Sequence, residues 1–494
     1  MSSPVINPFF TSLQISRSSA TPIYLQLTEQ LTTAIKNGVL QPGAVLPGSR
    51  HLGQLLDLHR KTIVRAYDDL IIQGWLESKK GSSTRVAQNL PLVQRRTINP
   101  MQNGEVNPSK LAGFRFQQAK HLDREFIKTT STYHLDDGFP DPRLAPLQDL
   151  ARAYRTQLII GNSYDRLGYA DPQGSPWLRD ELAKHLQITR GINCTKENIL
   201  ITRGTVMGLY LAGLGLLCSG DYVVVGAPGW LSAKINFKQA GAILMEVPVD
   251  EYGLDTIELE RLCKRQQIRM VYATSHHHYP TTVSLRAERR VHLLSLSVKY
   301  GFIIFEDDYD FDFHYLNRPL SPLASADEAG MVLYCGSFSK TISPAFRVGY
   351  LVGSADVMLH LAKLRRLIDR QGDTMLDNVM AELLQNGTIQ RHLRKSLRVY
   401  RQRRDAFCHL LKSELAEVLD FDLPEGGMAV WAKFDPKIDL TVVAKAALQK
   451  HLYFSDGKIH GANLNPLNAT RLGFASSTIN ELEKCVAILK PLLS

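Results

Sequence analysis

The chain has 494 residues, 44% of them apolar and 21% charged, with a net charge of +10. That length fits about three domains of roughly 150 residues, and the composition is that of a globular protein with large cores. No apolar run approaches the ~20 residues of a membrane helix, and no charged start precedes an apolar core, so neither a membrane span nor a signal peptide is expected. The six cysteines (Cys194, Cys218, Cys263, Cys335, Cys408, Cys485) are widely spaced with no C-x-x-C. This argues against a disulfide framework or a structural metal site, and for a reducing, cytoplasmic location.

The charge is unevenly spread. Residues 1–90 carry nine Lys/Arg against five Asp/Glu, and residues 91–130 carry seven against three. A local basic excess suits a polyanion partner, although a solvated basic linker would look the same.

Residues 21–38, TPIYLQLTEQLTTAIKNG, read as a helix, with Thr21 as its cap, Pro22 at its first position and Gly38 at its stop. Ile23, Leu27, Leu31, Ala34 and Ile35 share one face. A second helix is expected from about Ser49 to Asp57 and a third from about Arg60 to Gln73. On the third, Ile63, Ala66, Tyr67, Leu70 and Ile71 face inward, while Arg60, Lys61, Thr62 and Arg65 occupy its other side and N-terminal end. A helix-turn-helix makes its base and phosphate contacts there. The next stretch, WLESKKGSSTRVA, alternates around a glycine like a hairpin wing, whose Lys79, Lys80 and Arg85 could reach a DNA backbone or minor groove. The order helix, helix, basic helix, basic hairpin predicts a winged helix-turn-helix over residues 15–88. With Pro22, Tyr24, LPGSR, TIVRAY and GSST, the stretch resembles the winged-helix domain of the GntR superfamily. That resemblance implies that Arg50 and Arg60 contact phosphates and that the start of the third helix reads bases.

Residues 89–130 scatter Pro, Asn, Gln and basic residues without an apolar period. A run of this length is not a loop of one compact domain, so a basic linker is expected, with a short helix near 119–128.

From about residue 131 to 494, strands alternate with amphipathic helices. The apolar runs YVVVGA (222–227), RMVYATS (269–275), GFIIFEDD (301–308) and MVLYCGS (331–337) predict an α/β domain with a mostly parallel central sheet. A smaller α+β subdomain is expected at about 375–494. Ligands of such sheets lie at the carboxyl ends of the strands. Those ends carry Pro228-Gly229-Trp230, HHHYPTT, EDDYDFDF and GSFSK. Together these are the parts of a pyridoxal 5'-phosphate (PLP) site. Lys340 offers the amine for a Schiff base, and Asp307 the anion for the pyridine nitrogen. Tyr309 offers a donor to the ring oxygen. Ser337, Ser339 and Arg347 suit the phosphate, as does the turn TRGTV, which opens a helix at Thr205 and Val206. Trp230 suits the ring face. Each has a plainer reading: a surface lysine, a solvated acidic loop, a core tryptophan. The histidines 276–278 could also be a metal-binding triplet, but no further ligands cluster near them in sequence, and no metal site is expected.

Residues 131–494 resemble the fold-type I aminotransferases in YADPQGSPWLRDELAKHL (169–186), ILITRGT and SFSKTISPAFRVGY. With the winged helix in front, the whole chain resembles the MocR-type regulators of the GntR superfamily. By this resemblance Arg471, in TRLGFA, grips an effector carboxylate. The chain departs from the pattern at four places. Tyr279-Pro280-Thr281-Thr282 stands where aminotransferases have Asn-Pro-x-Gly, and His277-His278 where related regulators have His-Gln. Trp230 replaces a tyrosine, and Gly226 an acidic residue. The resemblance implies a homodimeric, PLP-dependent transcription regulator. It binds double-stranded DNA at paired half-sites and senses an amine, an amino acid or PLP itself through Schiff-base exchange at Lys340. Two alternatives stand beside it: a working aminotransferase with an accessory DNA-binding head, and a domain that has lost its cofactor.

Overall fold

Three helices open the chain, α1 (Ile23–Lys36), α2 (Ser49–Leu55) and α3 (Arg60–Ile72). The computed structural model describes residues 8–78, 83–90, 115–116, 119–123, 131–162, 167–315, 320–460 and 467–493. Leu27, Leu31 and Ile35 of α1 meet Leu52 of α2 and Ile63, Ala66 and Leu70 of α3 in one core. Strands β1 (Leu76–Glu77) and β2 (Arg85–Val86) pair antiparallel as a wing. Lys79 and Lys80 lie outside the described residues.

Two boundaries differ from expectation. Pro22, not Thr21, holds the N-cap position of α1, and no side chain caps it. Proline sits at the boundary with φ −53° and ψ 140°, an extended ψ that starts the helix one residue further along. Helix α2 stops at Leu55 because Asp57 turns into the left-handed region at φ 52°, a conformation that cannot continue a helix. The turn that follows needs Gly53: a Cβ there would stand 2.9 Å from the Leu58 carbonyl oxygen.

The chain divides into two compact units, Met1–Phe116 and Gln117–Ser494. The division falls inside the segment read as a linker, most of which lies outside the described residues. Of the short helix expected at 119–128, the described part is a single 3-10 turn, Lys120–Leu122.

The second unit begins with β3 (Tyr133–Leu135). Strands β4 (Ile199–Thr202), β5 (Tyr222–Ala227), β6 (Ile243–Asp250), β7 (Gly253–Leu254), β8 (Ile268–Ala273), β9 (Ile303–Asp308), β10 (Val332–Ser337) and β11 (Gly349–Val352) form one sheet. Their order is β4-β11-β10-β9-β8-β5-β6-β7. Strands β6, β5, β8, β9 and β10 run parallel, while β11 is antiparallel to both of its neighbours. Both faces are buried, which is why the strands read as continuous apolar runs. Val224, Val271, Ile304 and Tyr334 pack into one core, and Val223, Met270, Phe305 and Leu333 into the other.

A third core lies between the helices Thr388–Glu414 and Ile479–Leu493 and a small sheet of β12 (Leu419–Asp420), β13 (Ala429–Phe434) and β15 (Ala469–Gly473). This smaller subdomain is drawn differently from the expected 375–494. Helix Thr374–Gln385 gives Leu376, Val379 and Leu383 to the large core instead. At the other end, β3 pairs parallel with β14 (Leu452–Phe454), so the start of the unit joins its end.

Because the winged helix has its own core, its stability can be tested alone. Leu31 is fully buried. Leu31→Ala should destabilise that unit by about 2–5 kcal/mol. Calorimetry should show an early transition for the first unit and an unchanged one for the second.

Candidate cofactor site and nucleic-acid interface

Strand geometry sorts the acidic run at the end of β9. Successive side chains on a strand point to opposite faces, so Glu306 and Asp308 share one face and Asp307 takes the other. On the first face every carboxylate has structural partners. Glu306 accepts from the Ser275 hydroxyl and from the backbone N–H of Leu323 (2.8 Å) and Ala324 (2.9 Å). Asp308 accepts from Tyr334 (2.6 Å) and pairs with His276 (3.3 Å) and Arg190 (3.9 Å).

Asp307 differs in having no ion pair among the described residues, although the Oδ1 of Asp308 likewise lacks a hydrogen bond. Its Oδ2 accepts from the Tyr272 hydroxyl at 2.7 Å, and its Oδ1 is buried with no hydrogen-bond partner. Burial raises its pKa to about 7. A buried carboxylate oxygen without a donor fits a group that brings an N–H of its own, as a protonated pyridine nitrogen does.

Lys340 follows β10. Its Nζ donates to the Gly138 carbonyl at 2.6 Å and lies 4.6 Å above the Phe139 ring. Loss of solvent lowers its pKa, which favours the neutral, nucleophilic amine. Arg471, on β15, is buried and forms an ion pair through Nε with Asp137 at 3.0 Å. Its Nη1 donates to the Pro280 carbonyl at 3.1 Å, and its guanidinium stacks on Tyr279 at 4.9 Å. The stretch Asp136–Phe139 therefore lies against both Lys340 and Arg471. It went unsingled in the sequence, where its signal was the doublet Asp136-Asp137 before a glycine.

The residues assigned to the phosphate also converge. Gly204 precedes helix Thr205–Leu216 with φ 76°. Arg347, in the left-handed region at φ 52°, donates through Nη2 to the Arg203 carbonyl at 2.9 Å. A Cβ on Gly204 would stand 2.9 Å from that same nitrogen, and one on Gly349 would stand 2.6 Å from the Gly204 Cα. The two glycines thus let the guanidinium and β11 close on a helix N-terminus. Ser337, opposite Gly349 in register, bonds Ser339 at 2.9 Å. Thr205 opens the helix, whereas the Val206 side chain is exposed, so only its backbone can serve an anion.

Trp230 meets Tyr279 edge-on at 6.4 Å, and the Tyr309 hydroxyl donates to the His277 carbonyl at 2.9 Å. Two departures from the family pattern explain each other. The His278 ring packs on Gly226, where a Cβ would come within 2.6 Å of it. No acidic side chain fits there once the histidine is present. The histidine triplet is divided among separate partners: His276 on Asp308, His277 on Asp310 (2.8 Å), and His278 on the Pro228 carbonyl (2.8 Å). Among the described residues no group of His, Cys, Asp and Glu could hold a metal ion.

In the first unit Arg50, Arg60, Lys61 and Arg85 are exposed and Thr62 is half-buried. Arg60 Nε lies 3.4 Å from the Ser49 hydroxyl, which ties the start of α3 to α2. His59, which the sequence reading passed over, caps α3 by accepting from Lys61 N at 3.2 Å. Tyr67 donates to the Pro47 carbonyl at 2.9 Å, so the TIVRAY helix holds the LPGSR turn in place. Arg65 stacks on Tyr24 at 3.8 Å. That contact joins α3 to α1, and the Arg65 side chain stays exposed.

A winged helix of one unit and a cofactor cradle of the other define a DNA-binding protein with a PLP-binding domain. Residues 23–86 match the family of bacterial regulatory proteins, gntR family. Residues 138–489 match aminotransferase class I and II, and the chain belongs to that family. It is 28% identical over 469 residues to the probable rhizopine catabolism regulatory protein MocR of Rhizobium meliloti, covering 94% of this chain and 92% of that one. It is 28% identical to the HTH-type transcriptional regulator TauR of Rhodobacter capsulatus, covering 88% of each chain. The multiple substrate aminotransferase of Thermococcus profundus superposes with a TM-score of 0.69 at 26% identity, over 74% of this chain and 92% of that one. PLP is the cofactor of this fold.

Asp307 yields a test with a definite sign. The folded protein holds its proton up to about pH 7, whereas the ordinary value is 3.8. Protein free of cofactor therefore loses stability as pH rises through that window. At pH 8, Asp307→Asn should stabilise the cofactor-free protein, on the order of 2–4 kcal/mol. At pH 4 the gain should vanish. The same variant should bind PLP at least about tenfold more weakly, which is about 1.4 kcal/mol. Thermal melts at the two pH values and a cofactor titration check both.

Proposed function

We propose that the chain is a cytoplasmic, homodimeric transcription regulator whose PLP-binding domain reports a small amine or amino acid, or the cofactor itself, to the winged helix. The observation that carries this reading is the presence of both machineries in one chain, matched along nearly its full length by MocR. The six cysteines are all unpaired, as suits a reducing compartment. Among the described residues no helix is long and apolar enough to cross a membrane.

When bound, PLP supplies a carbonyl carbon that joins primary amines and a ring that withdraws electrons. In this reading Lys340 holds the cofactor through its Nζ, whose neutral form burial favours. Asp307 takes the pyridine N–H on its free Oδ1. Tyr309, whose hydroxyl donates to the His277 carbonyl, would have to turn it to reach the ring oxygen, and Trp230 would cover the ring face. Ser337, Ser339, Arg347 and the N–H groups of Thr205 and Val206 hold the phosphate, where the helix dipole favours an anion. Arg471 faces the effector.

On the DNA side, Arg50, Arg60 and Arg85 meet phosphates, and Lys61 and Thr62 lie at the N-terminal turn of α3 that enters the major groove. Lys79 and Lys80 would add contacts to the DNA backbone or minor groove. An effector shifts DNA binding only by binding two states of the protein with different affinity. Paired half-sites match the two-fold symmetry of a dimer.

Lys340→Ala should abolish the visible absorption of the PLP-loaded protein and its effector response, while leaving binding to operator DNA within about twofold. Arg60→Ala should weaken operator binding at least tenfold, about 1.4 kcal/mol, and leave the absorption unchanged. Transamination of an amino acid with a keto acid at about 1 s⁻¹ or faster would instead make the chain an enzyme with an accessory DNA-binding head.

A further inference from the structure

The arginine that faces the effector already has a carboxylate partner from its own chain. Asp137 Oδ1 stands 3.0 Å from Arg471 Nε, off the line of a hydrogen bond but in charge contact. Asp137 Oδ2 accepts from the Tyr279 hydroxyl at 2.8 Å. The arginine is only 2% exposed, so its charge meets little solvent and Asp137 neutralises it locally.

This contact is built in. Asp136 fastens the stretch by accepting from the N–H groups of Gly138 (2.9 Å) and Phe139 (2.8 Å) and from the Ser476 hydroxyl (2.5 Å). Gly138, at φ 81°, lets the backbone close on Arg471, since a Cβ there would stand 3.2 Å from Nη2. Its carbonyl receives Lys340 Nζ. The groups whose charges act on that Nζ are Asp137, Arg471, Asp136 and Asp310, three carboxylates against one guanidinium.

We infer that Asp137 determines the class of effector: it directs the site to primary amines that lack an α-carboxylate and disfavours α-amino acids. The inference rests on the reading of the site as an amine sensor. An α-amino acid would bring a second carboxylate to Arg471. It would have to displace Asp137 and leave that carboxylate without its cation, in a place held by Asp136 and Tyr279. An amine without a carboxylate leaves the pair intact and adds its positive charge beside Asp137. Asp137 is 30% exposed at its side chain, so it remains within reach of such a cation.

The test uses the full-length, PLP-loaded protein and two matched pairs of probes, phenethylamine with L-phenylalanine and ethylamine with L-alanine. Calorimetric titration should show wild type binding each amine at least about tenfold more tightly than its amino acid. Asp137→Asn, which keeps the shape and the Tyr279 contact, and Asp137→Ser should each bind the amino acids at least about tenfold more tightly than wild type does. The double variant Asp137→Asn/Arg471→Met should lose that gain. Amino-acid affinity that is the same in wild type and both single variants, including no binding in any of them, overturns the inference. So does a wild type that prefers the amino acids. A visible absorption that depends on Lys340 establishes that the cofactor is in place. Its absence overturns the amine-sensor reading itself, whereas unchanged preferences in its presence overturn only the role of Asp137.

Discussion

Asp307 is a carboxylate that the fold buries and then leaves half-satisfied. A buried polar group without a partner is costly, and a charged one more so. The sheet imposes that cost by ending β9 with three acids in a row. Strand alternation turns Glu306 and Asp308 into a network of backbone amides, Ser275, His276, Tyr334 and Arg190. It leaves Asp307 facing Tyr272 alone. Folding is supported on one face of the strand, and a buried carboxylate oxygen without a donor is left on the other.

The cost is distributed through close packing. Gly204 and Gly349 admit Arg347 to the start of a helix, and Arg347 itself takes a left-handed backbone to get there. A non-glycine residue in that region is strained. Such strain persists where the surroundings over-determine the geometry, as the two glycines do here. The same logic accounts for the exchange of an acid for Gly226 beside His278. Space lost to an imidazole is recovered by removing a side chain across from it.

The two units divide the labour of a regulator. The first has a core of its own and a basic helix end left open by its packing, with Arg65 held on Tyr24. In the second, the stretch Asp136–Phe139 lies against Lys340 and Arg471 and follows β3, which pairs with β14. A ligand held there would touch a segment that follows closely on the residues read as a linker. Differential binding at such a place is the kind of coupling that allosteric control requires.

Much was legible in the residues themselves. Helix periodicity, the basic N-terminal turn of α3 and the four apolar strands have local causes, since 3.6-residue and 2-residue periods are written in sequence order. The candidate cofactor residues could be read because they fall at strand ends, which a parallel sheet gathers at one edge. Other features are not local. That helix Thr374–Gln385 packs on the large core, and that β3 pairs with β14, depends on which apolar faces meet across hundreds of residues. Asp137 is marked in the sequence only as half of an acidic doublet before a glycine. It acquires meaning only because Gly138 and Asp136 bend the chain over Arg471, which lies on a strand far along the sequence. The sequence by itself determined the elements and the chemistry at their ends. The tertiary structure alone decided which charges face one another, because a charge pair is set by position in space and not by spacing along the chain.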